Sequence, residues 1–189
     1  MDSLKPALSE LLQGVKLGQR SAQKALYEQY YSFAKTICLQ YSSSEAEAVE
    51  ILNDGFLKIL TQIDLYNSDY SFKSWLRKIM IHKAIDYYRQ HKAKTQLLSL
   101  DSGKIQEPSY YDFPNLDNIE DLIPVLQKLS PAYRLVLNLY VLEEYSHEEI
   151  AEKLQITAST SRSNLFRALQ KLKEMLEPTV KSKLKVLQK

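Results

Sequence analysis

Apolar residues recur at helical spacing along most of this chain, and the pattern fails in one central segment. That segment, SLDSGKIQEPSYYDFPNLDN over residues 99–118, contains Gly103, Pro108 and Pro114 among other turn-forming residues. It is typical of a linker. Because the chain has only 4 Gly and few strand-like alternations, we expect an all-α protein in which an irregular acidic linker joins two small helical domains.

We place the first domain at residues 1–94, the linker at 95–118 and the second domain at 119–189. The total charge of +2 hides an uneven distribution. Residues 72–94 carry a net charge of +6, residues 95–122 carry −5 and residues 153–189 carry +7. Two basic blocks around an acidic one indicate a protein that binds a polyanion at two places.

Composition excludes several other classes of protein. Cys38 is the single cysteine, so we expect no disulfide framework, no metal site and a reducing compartment. The chain lacks an apolar run long enough to span a membrane, and its N-terminus does not resemble a signal peptide, which predicts a cytoplasmic protein. HEEIA at His147 has Ala151 where a zinc protease has its second His. We therefore predict a non-enzyme with no cofactor and no small-molecule substrate.

Four helices are expected in the first domain. They are a leading helix over Leu4–Leu17, a second helix capped by Ser21, a third over Glu45–Leu60 headed by a Ser44/Glu47 capping box, and a basic helix from Phe72. In the basic helix, Lys73, Arg77, Lys78, Lys83 and Arg89 accompany Tyr87 and Tyr88. A charge run alone is as often a solvated surface, but adjacent aromatic rings favour binding of a melted nucleic-acid strand. Trp75 is interpreted as a core residue.

The second domain has a helix-turn-helix pattern. Pro131 starts a helix for which we expect Tyr133, Val136, Leu137, Tyr140 and Val141 to point inward. Ser146 and Glu149 form a capping box for a short helix ending at Leu154. Thr157 or Ser159 then caps the last helix, which packs through Leu165, Ala168, Leu169 and Leu172. Gln155 occupies the turn, where Gly is often found.

In a helix-turn-helix, the start of the second helix meets base edges in the major groove. Our candidates for this contact are Ser159, Thr160, Arg162, Ser163, Phe166, Arg167 and, a turn further on, Lys171. Short side chains allow close approach, Arg binds guanine edges or phosphates, and Phe can contact a thymine methyl group.

With these motifs in this order, the chain resembles an extracytoplasmic function (group 4) sigma factor of bacterial RNA polymerase, in the sigma-70 family. ALYEQYYSFAKTICLQYSSSEAEAVEILNDGFLKIL followed by SFKSWLRKIMIHKAIDYYRQ is similar to sigma region 2. LSPAYRLVLNLYVLEEYSHEEIAEKLQITASTSRSNLFRALQKLKEML is similar to region 4. The resemblance implies a protein that binds core polymerase, recognises and melts promoter DNA, and starts transcription.

The resemblance also implies residue roles. The helix of Glu47, Glu50, Asn53 and Asp54 would dock on the polymerase core. Asn67, Ser68 and Tyr70 would capture a flipped base of the minus-ten element. The lysines and arginines of the basic helix, called the basic track below, would hold phosphates. His82 lies beside them, where the family often has Asn. The second domain would bind the minus-thirty-five element. Ser161 stands where the family usually has an apolar residue, which predicts looser packing there.

Two other functions are compatible with parts of the pattern. A stand-alone helix-turn-helix regulator would bind duplex DNA without polymerase, and a sigma mimic would sequester an anti-sigma factor without binding DNA. The third helix, with its acidic outer face, and the arginines Arg162 and Arg167 together favour the sigma factor. By resemblance, we also expect an anti-sigma partner, which in this family is often membrane-bound.

Overall fold

A computed structural model describes the backbone of residues 7–95 and 119–187, and side chains over 7–91 and 122–176. Its α-helices are α1 (Leu8–Lys16), α2 (Arg20–Tyr41), α3 (Glu45–Thr61), α4 (Phe72–Thr95), α5 (Ile119–Leu126), α6 (Pro131–Val141), α7 (His147–Leu154) and α8 (Ala158–Leu187). A 3₁₀ turn covers Ile63–Leu65. No strand occurs in the described ranges, so the all-α prediction is confirmed there. Residues 96–118 of the predicted linker lie outside them.

Helix α2 is the centre of the N-terminal half, because α1, α3 and α4 all pack against it. Its buried positions include Leu26, Ala34 and Ile37, which meet Leu52 of α3 and Leu76 of α4 in one apolar core. The periodicity of the sequence therefore predicts the correct inward faces here. The leading helix is found over Leu8–Lys16, while the beginning of the predicted range, Leu4–Pro6, lies outside the described residues.

The cap predicted at Ser21 is wrong. Helix α2 begins at Arg20 with Gln19 as its N-cap, and no side chain caps it. Gly18 at φ +71° turns the chain, and the amide of Gln19 donates to the carbonyl of Gly14 at 2.9 Å. This tight connection from α1 puts Ser21 inside the first turn of α2, where its hydroxyl cannot act as the N-cap.

The cap predicted for α3 is correct in its main part. Ser44 is the N-cap, and its hydroxyl accepts a hydrogen bond from the amide of Glu47 at 3.2 Å. The Glu47 carboxylate accepts from the amide of Ser43 at 2.9 Å, one residue before the position that a reciprocal capping box requires.

In the C-terminal half, α6 packs against α7, α8 and also α2. The inward orientation predicted for Tyr140 and Val141 is wrong, since these side chains are 42% and 36% exposed. Arg134 and Asn138, which no apolar pattern marks, are buried instead. The reason is tertiary: α6 has two covered faces, and the one against α2 meets backbone carbonyl groups that need polar partners.

Candidate nucleic-acid interface

The two helices of the helix-turn-helix are joined by a tight turn. The capping box predicted at the start of α7 is confirmed, because Ser146 accepts from the amide of Glu149 and the Glu149 carboxylate accepts from the amide of Ser146. The hydrogen bonds that the Glu149 carboxylate accepts from the amide and the hydroxyl of Ser146 lower the pKa of Glu149. At the other end, Gln155 adopts the left-handed conformation at φ 53° and ψ 52°, which ends α7.

Helix α8 is capped by Thr157, one of the two predicted candidates. The Thr157 hydroxyl accepts from the amide of Thr160 at 3.0 Å, and the helix begins at Ala158. Ser159 is therefore already within the helix. The four predicted core residues of α8 are buried: Leu165, Ala168, Leu169 and Leu172.

The predicted base-reading residues lie at the accessible start of α8. Ser159, Thr160 and Lys171 are exposed, and Arg162, Ser163, Phe166 and Arg167 are half-buried. The guanidinium of Arg162 donates to the Glu148 carboxylate of α7 at 2.8 Å. The Glu148 carboxylate holds the Arg162 side chain beside the turn. This contact restricts the rotamers of Arg162 before any ligand is bound.

Ser161 lies on the opposite, inner side of α8 and is fully buried. Its hydroxyl is 2.9 Å from Nδ1 of His147, and the imidazole ring of His147 stacks on Tyr140 with ring centroids 4.6 Å apart. The looser packing predicted from a polar residue at this position is therefore wrong, because the hydroxyl has a hydrogen-bond partner on α7.

The second candidate surface is the basic track of α4. Lys73, Lys78, His82 and Arg89 are exposed, whereas Arg77 and Lys83 are half-buried. Partial burial of the ring lowers the pKa of His82, and the positive charges of Lys153 and Lys58 lower it further. His82 is thus mainly neutral at pH 7, which leaves phosphate binding to the lysines and arginines.

Tyr87 and Tyr88 are both half-buried in this form of the chain. The Tyr87 ring stacks on His91 at a centroid distance of 4.1 Å, and burial with the nearby Glu47 and Glu50 carboxylates raises the pKa of its hydroxyl. Both tyrosines line a cavity of about 170 Å³ between α4 and α6. The rings are therefore placed beside the basic track but are partly covered by neighbouring groups.

The loop before α4 presents Asn67, Ser68 and Tyr70 to solvent, with Tyr70 70% exposed. Asn67 Oδ1 accepts from the amide of Asp69 at 2.9 Å, and the hydroxyl of Tyr66 donates to the carbonyl of Tyr70 at 2.6 Å. These bonds shape the loop without using the Tyr70 ring. The Tyr66 ring also packs on Trp75, which is half-buried rather than fully in the core.

The outer face of α3 carries the predicted polymerase-docking residues. Glu50, Asn53 and Asp54 are exposed, and Glu47 is half-buried because its carboxylate takes part in the cap. Sequence reasoning missed Leu57, which is 62% exposed on the same face of the helix. The signal was available: Leu57 follows Asn53 by four residues and Asp54 by three, which places it beside both.

Metal-ligating groups, long apolar helices and the cysteine were also considered in the described ranges. There, no group of three or more His, Cys, Asp or Glu side chains is arranged to hold a metal ion. No helix of the described part has the length and apolarity needed to cross a bilayer. Cys38 is buried, and that burial raises the pKa of its thiol to about 12.

The fold and these surfaces define a helical protein in which a helix-turn-helix accompanies a second basic helix. Two family models match the chain. Residues 26–94 match sigma-70 region 2 and residues 119–172 match sigma-70 region 4. Together they cover about two thirds of the chain.

Individual relatives agree with these matches. The ECF RNA polymerase sigma factor SigM of Bacillus subtilis is 26% identical over 155 residues, covering 79% of this chain and 92% of SigM. The RNA polymerase sigma factor YlaC of the same organism is 29% identical over 160 residues, covering 82% of this chain and 92% of YlaC. Among solved structures, the sigma factor RpoE in complex with the anti-sigma factor NepR from Bartonella quintana is 20% identical, with a TM-score of 0.45 over 82% of this chain and 96% of that one. The chain belongs to the sigma-70 family, in its extracytoplasmic function group.

Proposed function

We propose that this chain is an alternative sigma factor, which binds core RNA polymerase and directs it to promoters. The observation that carries the proposal is the presence of both sigma-70 regions in order on one chain, each with a basic helix that has accessible cationic side chains. One surface alone would suffice for an ordinary DNA-binding regulator. Two separate surfaces fit a protein that contacts two promoter elements.

In this proposal, the start of α8 reads the minus-thirty-five element. Arg162 and Arg167 bind guanine edges or phosphates, while Ser159, Thr160 and Ser163 permit close approach. The basic track of α4 holds the minus-ten strand. The loop with Asn67, Ser68 and Tyr70 takes the flipped base, for which the 70% exposed Tyr70 ring supplies a stacking surface.

Docking on core polymerase is assigned to the outer face of α3. Glu50, Asn53 and Asp54 supply acceptors and negative charge, and Leu57 adds an exposed apolar group at the same face. The chain itself has no catalytic role in this proposal: polymerase carries out synthesis. It acts in the cytoplasm, where its polymerase and promoter are.

An anti-sigma factor is the third proposed partner. RpoE of Bartonella quintana is bound by one, NepR. A protein that binds this chain and blocks polymerase docking would regulate it.

The deciding experiment is transcription with core polymerase and a library of promoter fragments. We expect start sites that depend on the chain, and Arg167→Ala is expected to weaken binding to the upstream element about tenfold. Lys173→Ala is a matched control, because it removes one positive charge from an exposed position on the same helix outside the proposed contact set. Equal effects of the two substitutions would contradict the role of Arg167.

The same assay separates the alternatives. A chain that binds core polymerase and never opens a promoter would be a sigma mimic. A chain that binds duplex DNA specifically and ignores core polymerase would be a stand-alone regulator. Asp54→Lys provides the internal check, because it reverses a charge on the docking face of α3 and should reduce core binding without changing the fold.

A further inference from the structure

An ion pair joins the two helices of the helix-turn-helix at the surface proposed to face DNA. Nη2 of Arg162, in the second turn of α8, donates to Oε1 of Glu148, in the first turn of α7, at 2.8 Å. The Arg162 side chain is 40% exposed and the Glu148 side chain is 67% exposed. Both groups are therefore accessible to a ligand that approaches the start of α8.

Other contacts already hold these two helices together. The capping box of Ser146 and Glu149 fixes the start of α7, and the hydroxyl of Ser161 on α8 is 2.9 Å from Nδ1 of His147 on α7. An ion pair between exposed side chains contributes little to stability, because water screens the attraction and two long side chains lose conformational freedom. A role in recognition therefore accounts for this pair better than a role in folding.

Two kinds of acceptor are available to an arginine on a recognition helix. Phosphate oxygens are charged and occur at every nucleotide, whereas O6 and N7 of guanine are neutral and occur only at G·C pairs. An arginine bound to a phosphate adds affinity without sequence information, while an arginine bound to guanine adds sequence preference. The choice between the two acceptors depends on the charge that lies beside the guanidinium.

The charge beside Arg162 is the carboxylate of Glu148. A carboxylate repels a phosphate that approaches the same guanidinium, but it does not repel the neutral acceptors of a base. A guanidinium has five N–H donors in one plane, so a bond from Nη2 to a carboxylate is compatible with a two-bond contact to guanine. The ion pair also orders a long side chain before DNA binds, which lowers the entropy cost of placing it at one base. Both effects favour guanine over phosphate.

We propose that Glu148 is a positioning residue that directs Arg162 to a guanine edge instead of a phosphate, and thereby sets the base preference at one position of the upstream promoter element. This inference rests on the proposed function and deepens it, because it chooses between the two partners that remained open for Arg162. Glu148 acts through Arg162 and needs no contact with DNA of its own.

Transcription by core polymerase with the full chain, on promoters randomised over the upstream element, tests the proposal. Sequencing of the transcribed promoters gives the base preference at each position. Arg162→Ala identifies the position at which Arg162 acts, because the preference for a G·C pair should be lost there. Glu148→Gln should reduce the same preference about fivefold, which is part of the discrimination that one two-bond arginine contact provides.

Salt dependence supplies a second measurement. If Arg162 moves to a phosphate once the neighbouring carboxylate is gone, the complex of polymerase, chain and promoter duplex gains one phosphate contact. The slope of the logarithm of the binding constant against the logarithm of salt concentration should then become steeper by about 0.9 in Glu148→Gln. A residue that only stabilised the fold would not change the number of phosphate contacts.

Further variants separate the Arg162 contact from other effects of the substitution. Glu148→Asp keeps the charge and withdraws the carboxylate by one methylene group. It should lower the guanine preference in the same direction, and it keeps the test available if Glu148→Gln folds poorly. In the Arg162→Ala background, Glu148→Gln should have no further effect on base preference.

Glu152→Gln is the matched control, because it removes the same charge from an exposed residue one turn further along α7. It should leave both the base preference and the salt slope unchanged. Equal effects of Glu148→Gln and Glu152→Gln would overturn the proposal, since a general change of charge would then explain both.

The remaining outcomes are equally decisive. An unchanged base preference or an unchanged salt slope in Glu148→Gln would overturn the proposal, and so would an Arg162→Ala chain that keeps its full base preference. The proposed function fails in a different way: the unmodified chain would then give no start sites that depend on it. Normal start sites with an unaltered Glu148→Gln preference contradict only the role of Glu148.

Discussion

The hydroxyl of Ser161 lies 2.9 Å from Nδ1 of His147, so a part-buried hydrogen bond joins the two helices of the helix-turn-helix. The Tyr140 ring stacks on the imidazole of His147, and the angle between the two ring planes is 17°. The exposed position of Tyr140, unexpected from its spacing on α6, is explained by this partner. The helix-turn-helix is thus held by specific polar and aromatic contacts in addition to its apolar core.

Ser161→Ala should lower the free energy of unfolding by about 1 kcal/mol, because it removes this hydrogen bond at a buried position. Urea denaturation measures the change. Ser163→Ala, a half-buried serine in the same part of α8, should change stability by less than about 0.5 kcal/mol. Similar losses of unfolding free energy in the two variants would mean that the hydrogen bond between Ser161 and His147 does not contribute to stability.

Gln155→Gly should stabilise the protein by roughly 0.5–1 kcal/mol. Gln155 has φ 53°, a left-handed conformation that costs an L-residue about 1 kcal/mol and costs Gly little. Thermal unfolding followed by circular dichroism measures the change in stability. The same substitution at Gln170, in the middle of α8, should be destabilising by about 1 kcal/mol. A loss of stability in both variants would refute the conformational explanation.

Gly55→Ala should destabilise the chain by about 1–3 kcal/mol. Gly55 is buried where α3 meets α4, and a Cβ atom there would overlap the thioether of Met80. Met80→Ala should also destabilise the core, because the side chain is fully buried. The double variant should lose less stability than the two single losses combined, since the small side chain at position 80 accommodates the added methyl group. Strict additivity would exclude this contact as the cause.

His82 should titrate below pH 6.5 in the folded protein, because partial burial and neighbouring lysines disfavour its charged form. The unfolded chain then binds more protons between the two pKa values. The contribution of His82 to stability is therefore full above about pH 6.5 and is lost as the pH falls through its folded pKa. NMR titration of the imidazole protons measures the midpoint. Lys153→Gln should raise it, and an unchanged midpoint would show that α7 does not approach α4 in solution.

Local patterns predict most of the helices and their inner faces. The capping residues Ser44, Ser146 and Thr157 have short-range hydrogen bonds, which depend on neighbours three residues away and are therefore visible in the sequence. The failure at Ser21 has the opposite cause. The start of α2 depends on how the chain leaves α1 through Gly18, a relation between two elements.

Arg134 and Asn138 could not have been found by periodicity. A polar residue in an amphipathic helix is ordinarily assigned to solvent, and these two are buried because their partners are carbonyl groups of α2 about 90 to 100 residues earlier. Glu143 was missed for the same reason. Its contact with Arg77 links positions 66 residues apart.

The sequence by itself determined the helical class, the two sigma regions and the cationic residues on α4 and α8, because these follow from short-range spacing and composition. Tertiary structure alone decided two of the ion pairs that those residues make: Arg77 pairs with Glu143, and Arg162 pairs with Glu148. Partner choice depends on the packing of distant helices. It is set by which charges and carbonyls come together when apolar faces are buried, and no local pattern encodes that.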